Sequence, residues 1–429
     1  FEHYGLSATR GFGIQLLTGK SVGGGTSINW QTSLETPKQV LNEWDQLTSQ
    51  DNYFDSDTFR ESIKYVTDNL DVNTEYNNIP LKEEKLAEGF DKNNINYRVI
   101  PKNNSSNHGM ECGFCAFGCG YGSRNSSYKV WLNNEDFNGN IYSDTSIKRM
   151  ILNNNEATHI EVENNGVISI VEVEKVILAG GSLNTPSILL NSGYKNPQLG
   201  KNLKTHPVSG VAGRFKEEQK PWFGSMQGMH SEDFLFKTDN YGYLLQGLPM
   251  HPSIFFPYFP NFVSSAADFI ESYNNWSGAI VLTSDTSSGS LINNGPLWKY
   301  RLNDFDSNHL LDGLTKLVKS YYLAGAEEIM VSASPTMYWK RNESQGIEEF
   351  INQIISIKNQ PYRLLLGSAH QMGTARMNPN PNLGVTDLNG KVHGLDNVYI
   401  VDSSIFPRCS GVNPMVTIQS TSHFLMSQL

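Results

Sequence analysis

The sequence predicts an α/β protein with two domains, one of which is Rossmann-like. Three observations predict this fold class. Val176-Ile-Leu-Ala-Gly-Gly is an apolar strand that ends in a glycine pair, and Asn184-Thr-Pro186 follows it as the opening of a helix. A second apolar strand, 398–401, ends at Asp402. The 429 residues also exceed the ~250–300 at which a single core usually splits.

Composition and charge exclude several classes of protein. Hydrophobic residues make up 38% of the chain, which is typical of a globular protein rather than a disordered one. The formal net charge of −10 argues against a nucleic acid partner, because neutralising phosphates requires clustered Lys and Arg. No apolar run approaches the ~18 residues that a membrane-spanning helix needs. Four cysteines do not make a disulfide scaffold.

The first part of the chain contains a glycine run, a helical stretch and a cysteine-rich loop. The glycine run at 20–30 lets backbone amides approach a flat or phosphorylated ligand without an intervening Cβ, although an ordinary glycine loop is the alternative. Residues 35–100 carry apolar side chains at helical spacing, as at Phe59 and Ile63, and predict helices. Residues 101–127 form a loop rich in cysteine and glycine.

The segment 160–178 predicts two strands joined by a turn at Asn164-Asn-Gly166, because an Asn-Gly pair favours a tight hairpin. The second strand is predicted to run into the glycine pair at Gly180, and the next helix to open at Pro186. Such a strand, glycine pair and helix are the parts of a nucleotide-binding crossover.

Residues 212–360 lack these signals and predict the second domain. One clear amphipathic helix has a predicted cap near Asp306 or Ser307 and a stop at Gly325. Its apolar face is Leu310, Leu314, Leu317, Val318 and Tyr321. The aromatic stretch 254–262 is either a domain core or the wall of an apolar channel. A channel suits a long alkyl chain, because each buried CH₂ contributes ~0.8 kcal/mol.

The C-terminal part carries side chains that are suited to oxidising an alcohol. His370 can accept a hydroxyl proton near neutral pH. Asn413 can hold the same oxygen by its side-chain amide, although an isolated Asn-Pro pair is more often a turn. Asp402 ends an apolar strand, where open α/β sheets place their ligands, and capping of Ser403 and Ser404 is the alternative role.

Several motifs occur together in one order along the chain. They are Gly23-Gly-Gly-Thr-Ser-Ile-Asn29, Cys112-Gly-Phe-Cys115-Ala-Phe-Gly-Cys119, Gly200-Lys-Asn202-Leu-Lys-Thr-His206-Pro, Gly367-Ser-Ala-His370-Gln-Met-Gly and Ser410-Gly-Val-Asn413-Pro. Together they resemble the glucose–methanol–choline (GMC) flavoprotein oxidoreductases, and within that family the long-chain fatty alcohol oxidases. The resemblance spans almost the whole chain.

The resemblance implies FAD as the cofactor, with His370 as the base, hydride transfer to flavin N5 and Asn413 orienting the substrate oxygen. His206 and His393 are predicted to be structural. The implied cofactor-binding residues are Gly23, Gly24, Gly25, Thr26, Asn29, Ile147, Asp402, Pro414 and Thr417. Pro414 and Thr417 fall where the family brings a helix N-terminus toward the flavin pyrimidine.

The resemblance also implies a second α+β substrate domain built on an antiparallel sheet and a discontinuous Rossmann-like FAD-binding domain. The predicted divisions are 1–34 for its first part, 35–130 for a lid and the cysteine-glycine loop, 131–211 for its second part, 212–360 for the substrate-binding domain, and 361–429 for its C-terminal part with the catalytic His and Asn. The family's G-x-G-x-x-G turn is not found, since Gly11-Phe-Gly13 is followed by Ile-Gln-Leu. We therefore expect the first βαβ unit to be absent from this chain.

The predicted activity is FAD-dependent oxidation of long-chain primary alcohols to aldehydes, with O₂ reduced to H₂O₂. One alternative is a flavin dehydrogenase that uses another acceptor, through a metal cluster on Cys112, Cys115 and Cys119. A loop with small buried thiols and no metal is the preferred interpretation. A hydroxynitrile lyase on the same scaffold and an inactive remnant are further alternatives.

Location and partners are predicted from weaker signals. The tripeptide Ser427-Gln-Leu429 loosely resembles the Ser-Lys-Leu peroxisomal signal, and an oxidase that makes peroxide needs catalase nearby. We therefore predict a peroxisomal protein. Peripheral membrane contact through apolar surface and a homo-oligomer are also predicted.

Overall fold

The computed structural model describes residues 1–252, 266–292, 297–358, 360 and 362–429, so the aromatic stretch 254–262 lies outside the described residues. The α-helices are α1 Lys38–Thr48, α2 Asp57–Asn69, α3 Leu81–Lys92, α4 Gly181–Asn191, α5 Ala266–Glu271, α6 Asp304–Leu323, α7 Ile347–Ser356 and α8 Met415–Met426. None of these helices combines the length and the apolar content that crossing a bilayer would require.

The strands are short except in two regions, 145–172 and 208–283. They are β1 Gln15–Leu16, β2 Val72–Asn73, β3 Arg98–Val99, β4 Lys102–Asn103, β5 Thr145–Asn153, β6 Glu156–Asn164, β7 Val167–Glu172, β8 Val176–Leu178, β9 Val208–Arg214, β10 Met229–Ser231, β11 Tyr243–Leu248, β12 Trp276–Thr283, β13 Ser290–Leu291, β14 Trp298–Lys299, β15 Glu328–Val331, β16 Met337–Lys340, β17 Gly367–Ser368 and β18 Val398–Ile400.

A mostly antiparallel sheet of nine strands dominates the described residues. Its order is β1-β17-β9-β12-β11-β10-β3, with β15 paired to β9 and β16 paired to β15. Every residue of β12 is buried, and α3 and α6 cover the face that carries Ala279 and Val281. This sheet confirms the predicted fold class, in which an α+β part built on an antiparallel sheet accompanies a smaller parallel unit.

Helix α6 has the predicted apolar face but a different cap. All five predicted face residues are fully buried, and Gly325 follows the helix with φ of 92°. The predicted cap was wrong, because the N-cap is Asn303, whose side chain accepts from the backbone N–H of Asp306 at 2.8 Å. The Asp306 carboxylate instead accepts backbone N–H bonds from Thr286 and Ser287, which belong to a neighbouring loop.

The predicted hairpin exists, but its second strand divides in two. Asn165 and Gly166 have φ of 49° and 82°, as a two-residue turn with both central residues at positive φ requires. β7 ends at Glu172 and pairs with β6, whereas β8 begins at Val176 and pairs in parallel with β18. A single strand was the wrong prediction, because the chain leaves one sheet and joins another between these residues.

Helix α4 begins earlier than predicted. It starts at Gly181, so Pro186 lies inside the helix rather than at its first turn. Proline has no N–H, so the Ser182 carbonyl four residues earlier lacks its helical partner. The Thr374 hydroxyl donates to that carbonyl at 2.7 Å, and this side chain satisfies the group that proline leaves free.

Two hydrophobic clusters hold the elements together. The larger lies between the nine-stranded sheet and helices α3, α6 and α7. The second joins α1, α2, α4 and α8 to the β8–β18 pair. The chain after β17 leaves the large sheet, and the chain before α8 enters the second cluster, so both candidate catalytic residues lie at the border between the clusters. The predicted domain divisions stay predictions.

Candidate active site

His370 and Asn413 lie together, as the sequence predicts for residues that share one substrate oxygen. His370 follows β17, and its backbone N–H donates to the Ser368 hydroxyl at 3.1 Å. Its Nε2 is 3.5 Å from Asn413 Nδ2. Burial lowers the pKa of His370 from 6.5 to about 4, because removal from water disfavours the charged ring. The imidazole is therefore neutral at physiological pH and has a nitrogen free to accept a proton.

His206 makes the second contact of the His370 ring. The two Nδ1 atoms are 3.3 Å apart, and the rings are nearly perpendicular, at 88°. His206 is fully buried, and its Nε2 accepts the backbone N–H of Gly411 at 3.1 Å. Its φ of 45° is unusual for a residue other than glycine. The sequence predicts a structural His206, and the structure adds a direct contact with the candidate base.

The position of His206 depends on a buried carboxylate. Asp285 accepts the backbone N–H groups of Thr205 and His206 at 3.0 and 3.2 Å, and the Tyr300 hydroxyl at 2.5 Å. Potential metal-ligating atoms of His206, Asp285 and Cys409 also lie within 4.8 Å of one another. Burial raises the pKa of Asp285 and of the Cys409 thiol. Because these groups already have hydrogen-bond partners, the cluster serves as an internal network that positions His206.

Asn413 has a partner that no sequence motif indicated. Its Oδ1 accepts from Gln246 Nε2 at 2.8 Å. Gln246 is fully buried on β11, in the run Tyr243-Leu-Leu-Gln-Gly-Leu248. A single amide within an otherwise apolar buried strand is the only signal in the sequence that could have marked it, because a buried polar group needs a partner.

The predicted glycine run lies beside the start of α8. Gly23 and Gly24 have φ of 88° and 55°, and a Cβ placed on Gly24 or Gly25 would meet no atom within 4 Å. The Thr26 hydroxyl donates to the Gly23 carbonyl at 2.6 Å and accepts the Ser127 N–H at 2.9 Å. These contacts hold the run in place and leave one side of its backbone open.

Helix α8 begins next to this run. Asn29 Nδ2 donates to Met415 Sδ at 3.0 Å, and Pro414 is the N-cap without a side-chain hydrogen bond. The Thr417 hydroxyl pairs with Thr36 at 2.7 Å in the buried first turn. The first backbone N–H groups of a helix carry a partial positive charge and need partners.

These residues fit the FAD that the sequence resemblance implies. The glycine backbone is open where a flat ring system could approach, and the helix start offers N–H donors without a side-chain cap. Arg124 Nε and Gln419 Nε2 are buried and have no hydrogen-bond partner among the described residues. Both side chains belong to this region, because Arg124 contacts the Thr26 carbonyl and Gln419 contacts the Ser127 hydroxyl.

Asp402 and Ile147 lie apart from this group. Asp402 is buried, and its carboxylate accepts from Gly181 N–H, Ser404 N–H and the Thr185 hydroxyl at 2.8, 2.8 and 2.6 Å. It therefore joins β18 to the start of α4, and burial raises its pKa. Ile147 lies on β5 and pairs with Val162 on β6. A contact of either residue with a cofactor stays a prediction.

The cysteine-glycine loop has free thiols at Cys112, Cys115 and Cys119. Among the residues that the structure describes, these three sulfur atoms do not form a set within 4.8 Å of one another. The Cys119 thiol instead contacts the Ser123 hydroxyl at 3.5 Å. The loop geometry therefore adds no support to the alternative of a metal cluster.

Comparison with known sequences and structures gives consistent matches. Two sequence models described as GMC oxidoreductase match residues 2–208 and 278–422. Two long-chain-alcohol oxidases of Arabidopsis thaliana are 32% and 29% identical to this chain over 98% and 100% of its length. The chain spans 60% of the length of each of these relatives.

Solved structures show the same fold. Pyridoxine 4-oxidase from Mesorbium loti superposes with a TM-score of 0.67 at 15% identity, over 96% of this chain and 84% of that one. A formate oxidase from Aspergillus oryzae gives a TM-score of 0.66 at 15% identity, over the same shares of the two chains. At this identity the likeness concerns the fold alone.

Proposed function

The chain belongs to the GMC oxidoreductase family, and on that premise we propose that it oxidises long-chain primary alcohols to aldehydes, with FAD as cofactor and O₂ as electron acceptor. The proposal rests mainly on the contact between His370 and Asn413. The two residues are 43 positions apart in sequence, and His370 Nε2 lies 3.5 Å from Asn413 Nδ2. The relatives named as long-chain-alcohol oxidases support the choice of substrate.

His370 and Asn413 would act on the same alcohol oxygen in different ways. His370 accepts the hydroxyl proton at Nε2, which requires a neutral ring and hence the lowered pKa. Asn413 donates from Nδ2 to the same oxygen and stabilises the negative charge that develops on it. The residues that would hold the cofactor are Gly23, Gly24, Gly25, Thr26, Asn29, Pro414 and Thr417. FAD supplies the two-electron acceptor when bound.

An apolar region at the edge of the cysteine-glycine loop supports a long alkyl substrate. An open surface pocket of about 590 Å³ is lined by Phe114, Trp222, Pro252, Ile270 and Tyr273, together with the polar side chains of His251, Glu271 and Asn274. Phe114 and Phe117 are exposed by 47% and 53%. We propose this region for the alkyl chain and for peripheral membrane contact. The peroxisomal location and the homo-oligomer also stay proposals.

The test is an anaerobic absorbance spectrum of the FAD-loaded protein before and after addition of dodecanol. We expect the flavin band to bleach and to recover in air with formation of peroxide. The substitution His370→Gln should lower kcat by roughly 10²–10⁴-fold, because general base catalysis typically contributes that factor. His159→Gln is the matched control, since His159 lies on β6 in the three-stranded sheet.

The other outcomes separate the alternatives. A band that bleaches but recovers only with an artificial acceptor would indicate a dehydrogenase. Release of cyanide from a cyanohydrin without bleaching would indicate a lyase. If dodecanol leaves the band unchanged while the protein holds FAD, the proposed substrate class is wrong.

A further inference from the structure

Four buried polar side chains form a continuous hydrogen-bonded chain that ends at the candidate active site. The Thr32 hydroxyl donates to Gln227 Oε1 at 2.7 Å, and Gln227 Nε2 donates to Gln246 Oε1 at 3.2 Å. Gln246 Nε2 then donates to Asn413 Oδ1 at 2.8 Å. The most exposed member is Asn413 at 9%, so water does not compete for these bonds. We call this set the amide relay.

The direction of the amide relay is set by one backbone carbonyl. Gln227 Nε2 also donates to the Gly247 carbonyl oxygen at 3.1 Å, and a carbonyl can only accept. Gln227 must therefore present its NH₂ group to Gly247 and to Gln246. Gln246 in turn presents its oxygen to Gln227 and its NH₂ group to Asn413. The Asn413 amide is left with its oxygen toward Gln246 and its NH₂ group toward His370.

His206 and His370 form a pair in contact through their Nδ1 atoms, and each has a hydrogen-bond donor at its outer nitrogen, Nε2. The Gly411 backbone N–H points at His206 Nε2, while the Asn413 NH₂ group points at His370 Nε2. Two neutral imidazoles hold two protons, and one proton must lie between the Nδ1 atoms to make that contact a hydrogen bond. The other proton occupies one of the two Nε2 atoms. Only one of the two outer donors can therefore find an acceptor at a time.

The two arrangements differ in what His370 can do. With the Nδ1 proton on His206, His370 carries its proton on Nε2 and cannot accept one there. With the Nδ1 proton on His370, its Nε2 is free and has one lone pair, which accepts from Asn413 in the empty site and from the hydroxyl of an alcohol when substrate is bound. The contact at the His206 end is the shorter one, at 3.1 Å against 3.5 Å, so it favours the first arrangement, and the Asn413 NH₂ group at the His370 end acts against it.

We propose that Gln246, backed by Gln227, is a positioning residue that keeps the Asn413 NH₂ group toward His370 and thereby raises the share of the His370 tautomer with a free Nε2, against the opposing hydrogen bond from Gly411 to His206. This inference rests on the proposed function only in the role of His370 as the base. The tautomer itself can be measured without any substrate.

The substitution Gln246→Glu should reverse the orientation of the Asn413 amide at the end of the amide relay. A carboxylate offers oxygen atoms to both neighbours, so Asn413 turns its NH₂ group toward residue 246 and its carbonyl toward His370. That carbonyl stabilises a proton on His370 Nε2. We expect kcat to fall by about 10²-fold, because His370 Nε2 then carries a proton, and KM to rise, because the Asn413 NH₂ group no longer faces the substrate oxygen.

The direct readout is ¹H–¹⁵N NMR of the chain labelled at histidine, with His370 assigned by the signal that His370→Gln removes. We expect the wild-type shifts to include a contribution from His370 with a free Nε2, and Gln246→Glu to move them to a fully protonated Nε2. Gln246→Met, which has neither donor nor acceptor, should give intermediate shifts and keeps the test valid should the buried carboxyl prevent folding. Gln219→Glu is the control, because Gln219 is equally buried and lies outside the relay.

Identical His370 shifts in wild type, Gln246→Glu and Gln246→Met would overturn the proposal. A wild-type His370 that is fully protonated on Nε2 would also overturn it. If the shifts move as expected while dodecanol is not oxidised, the relay stands and the proposed function fails. If dodecanol is oxidised and the His370 shifts do not move, the proposed function stands and the proposal for Gln246 fails.

Discussion

At the scale of single residues, the chemistry of the candidate site depends on how a partly buried histidine is held. His370 contacts Asn413 on one side and His206 on the other, and burial keeps its ring neutral. His206 also has its pKa lowered well below 6.5, with desolvation as the main cause and His370 as a further one. Both rings are therefore neutral at physiological pH.

The pH dependence of catalysis follows from this burial. A base acts only when it is neutral, so activity is lost as the pH falls through the pKa of the folded protein. For His370 that pKa is about 4 rather than 6.5. We expect kcat/KM to stay level from pH 8 down to about pH 5 and to fall below it. An acid limb centred between pH 6 and 7 would show that water reaches the ring.

The sequence found His370 and Asn413 but not their partners. The two catalytic candidates lie in motifs with distinctive neighbours, so a single sequence is enough to mark them. Gln246 and His206 are separated from their partners by 167 and 164 residues, and no periodicity relates positions so far apart. Their roles depend on which atoms meet in the folded chain.

At the scale of elements, α4 shows how one side chain can support a helix that contains proline. Pro186 leaves the Ser182 carbonyl without its usual N–H partner, and the buried Thr374 hydroxyl takes that place. Thr374 lies four residues after His370. The same hydrogen bond therefore links the glycine pair after β8 to the segment that carries the candidate base.

The substitution Thr374→Val tests this link. Valine has the same shape, and it leaves a buried carbonyl unpaired, so we expect the free energy of unfolding to fall by about 1–3 kcal/mol. Urea unfolding measures the change. Thr336→Val is the matched control, because the buried Thr336 hydroxyl has no hydrogen-bond partner in the described part of the chain. Equal losses in the two variants would contradict the assignment.

At the scale of the whole molecule, the candidate site lies where two hydrophobic clusters meet. β17 brings His370 from the nine-stranded sheet, and α8 brings Asn413 from the second cluster. The glycine run at Gly23–Gly25 adjoins α8 through the contact of Asn29 with Met415. A ligand bound at this place touches elements of both clusters and so stabilises the whole chain.

We therefore expect FAD to raise the free energy of unfolding by about 2.7 kcal/mol at a concentration 100 times its Kd. Gly25→Val should abolish this gain, because the new side chain fills the space beside the open backbone. It should leave the FAD-free protein nearly as stable as wild type. Thermal unfolding with and without FAD measures both quantities.

Gly346→Val is the control for this substitution. A Cβ at Gly346 also meets no atom within 4 Å, and its backbone has φ of −69° and ψ of 151°, which valine adopts readily. Gly346 precedes α7, on the large sheet's side of the molecule. If FAD still stabilises the Gly25→Val variant, the glycine run is not part of the cofactor site.

The sequence by itself determined the fold class, the parallel strand that ends before Asp402, the apolar face of α6 and the two catalytic candidates. These features depend on local order, periodicity or motif, which a single chain carries in its letters. Only the tertiary structure decided the split of the hairpin's second strand, the place of Pro186 inside α4, and the partners of His370 and Asn413. The partner of a strand and the orientation of a buried amide depend on groups that lie far away in sequence. They are therefore determined only in the folded chain.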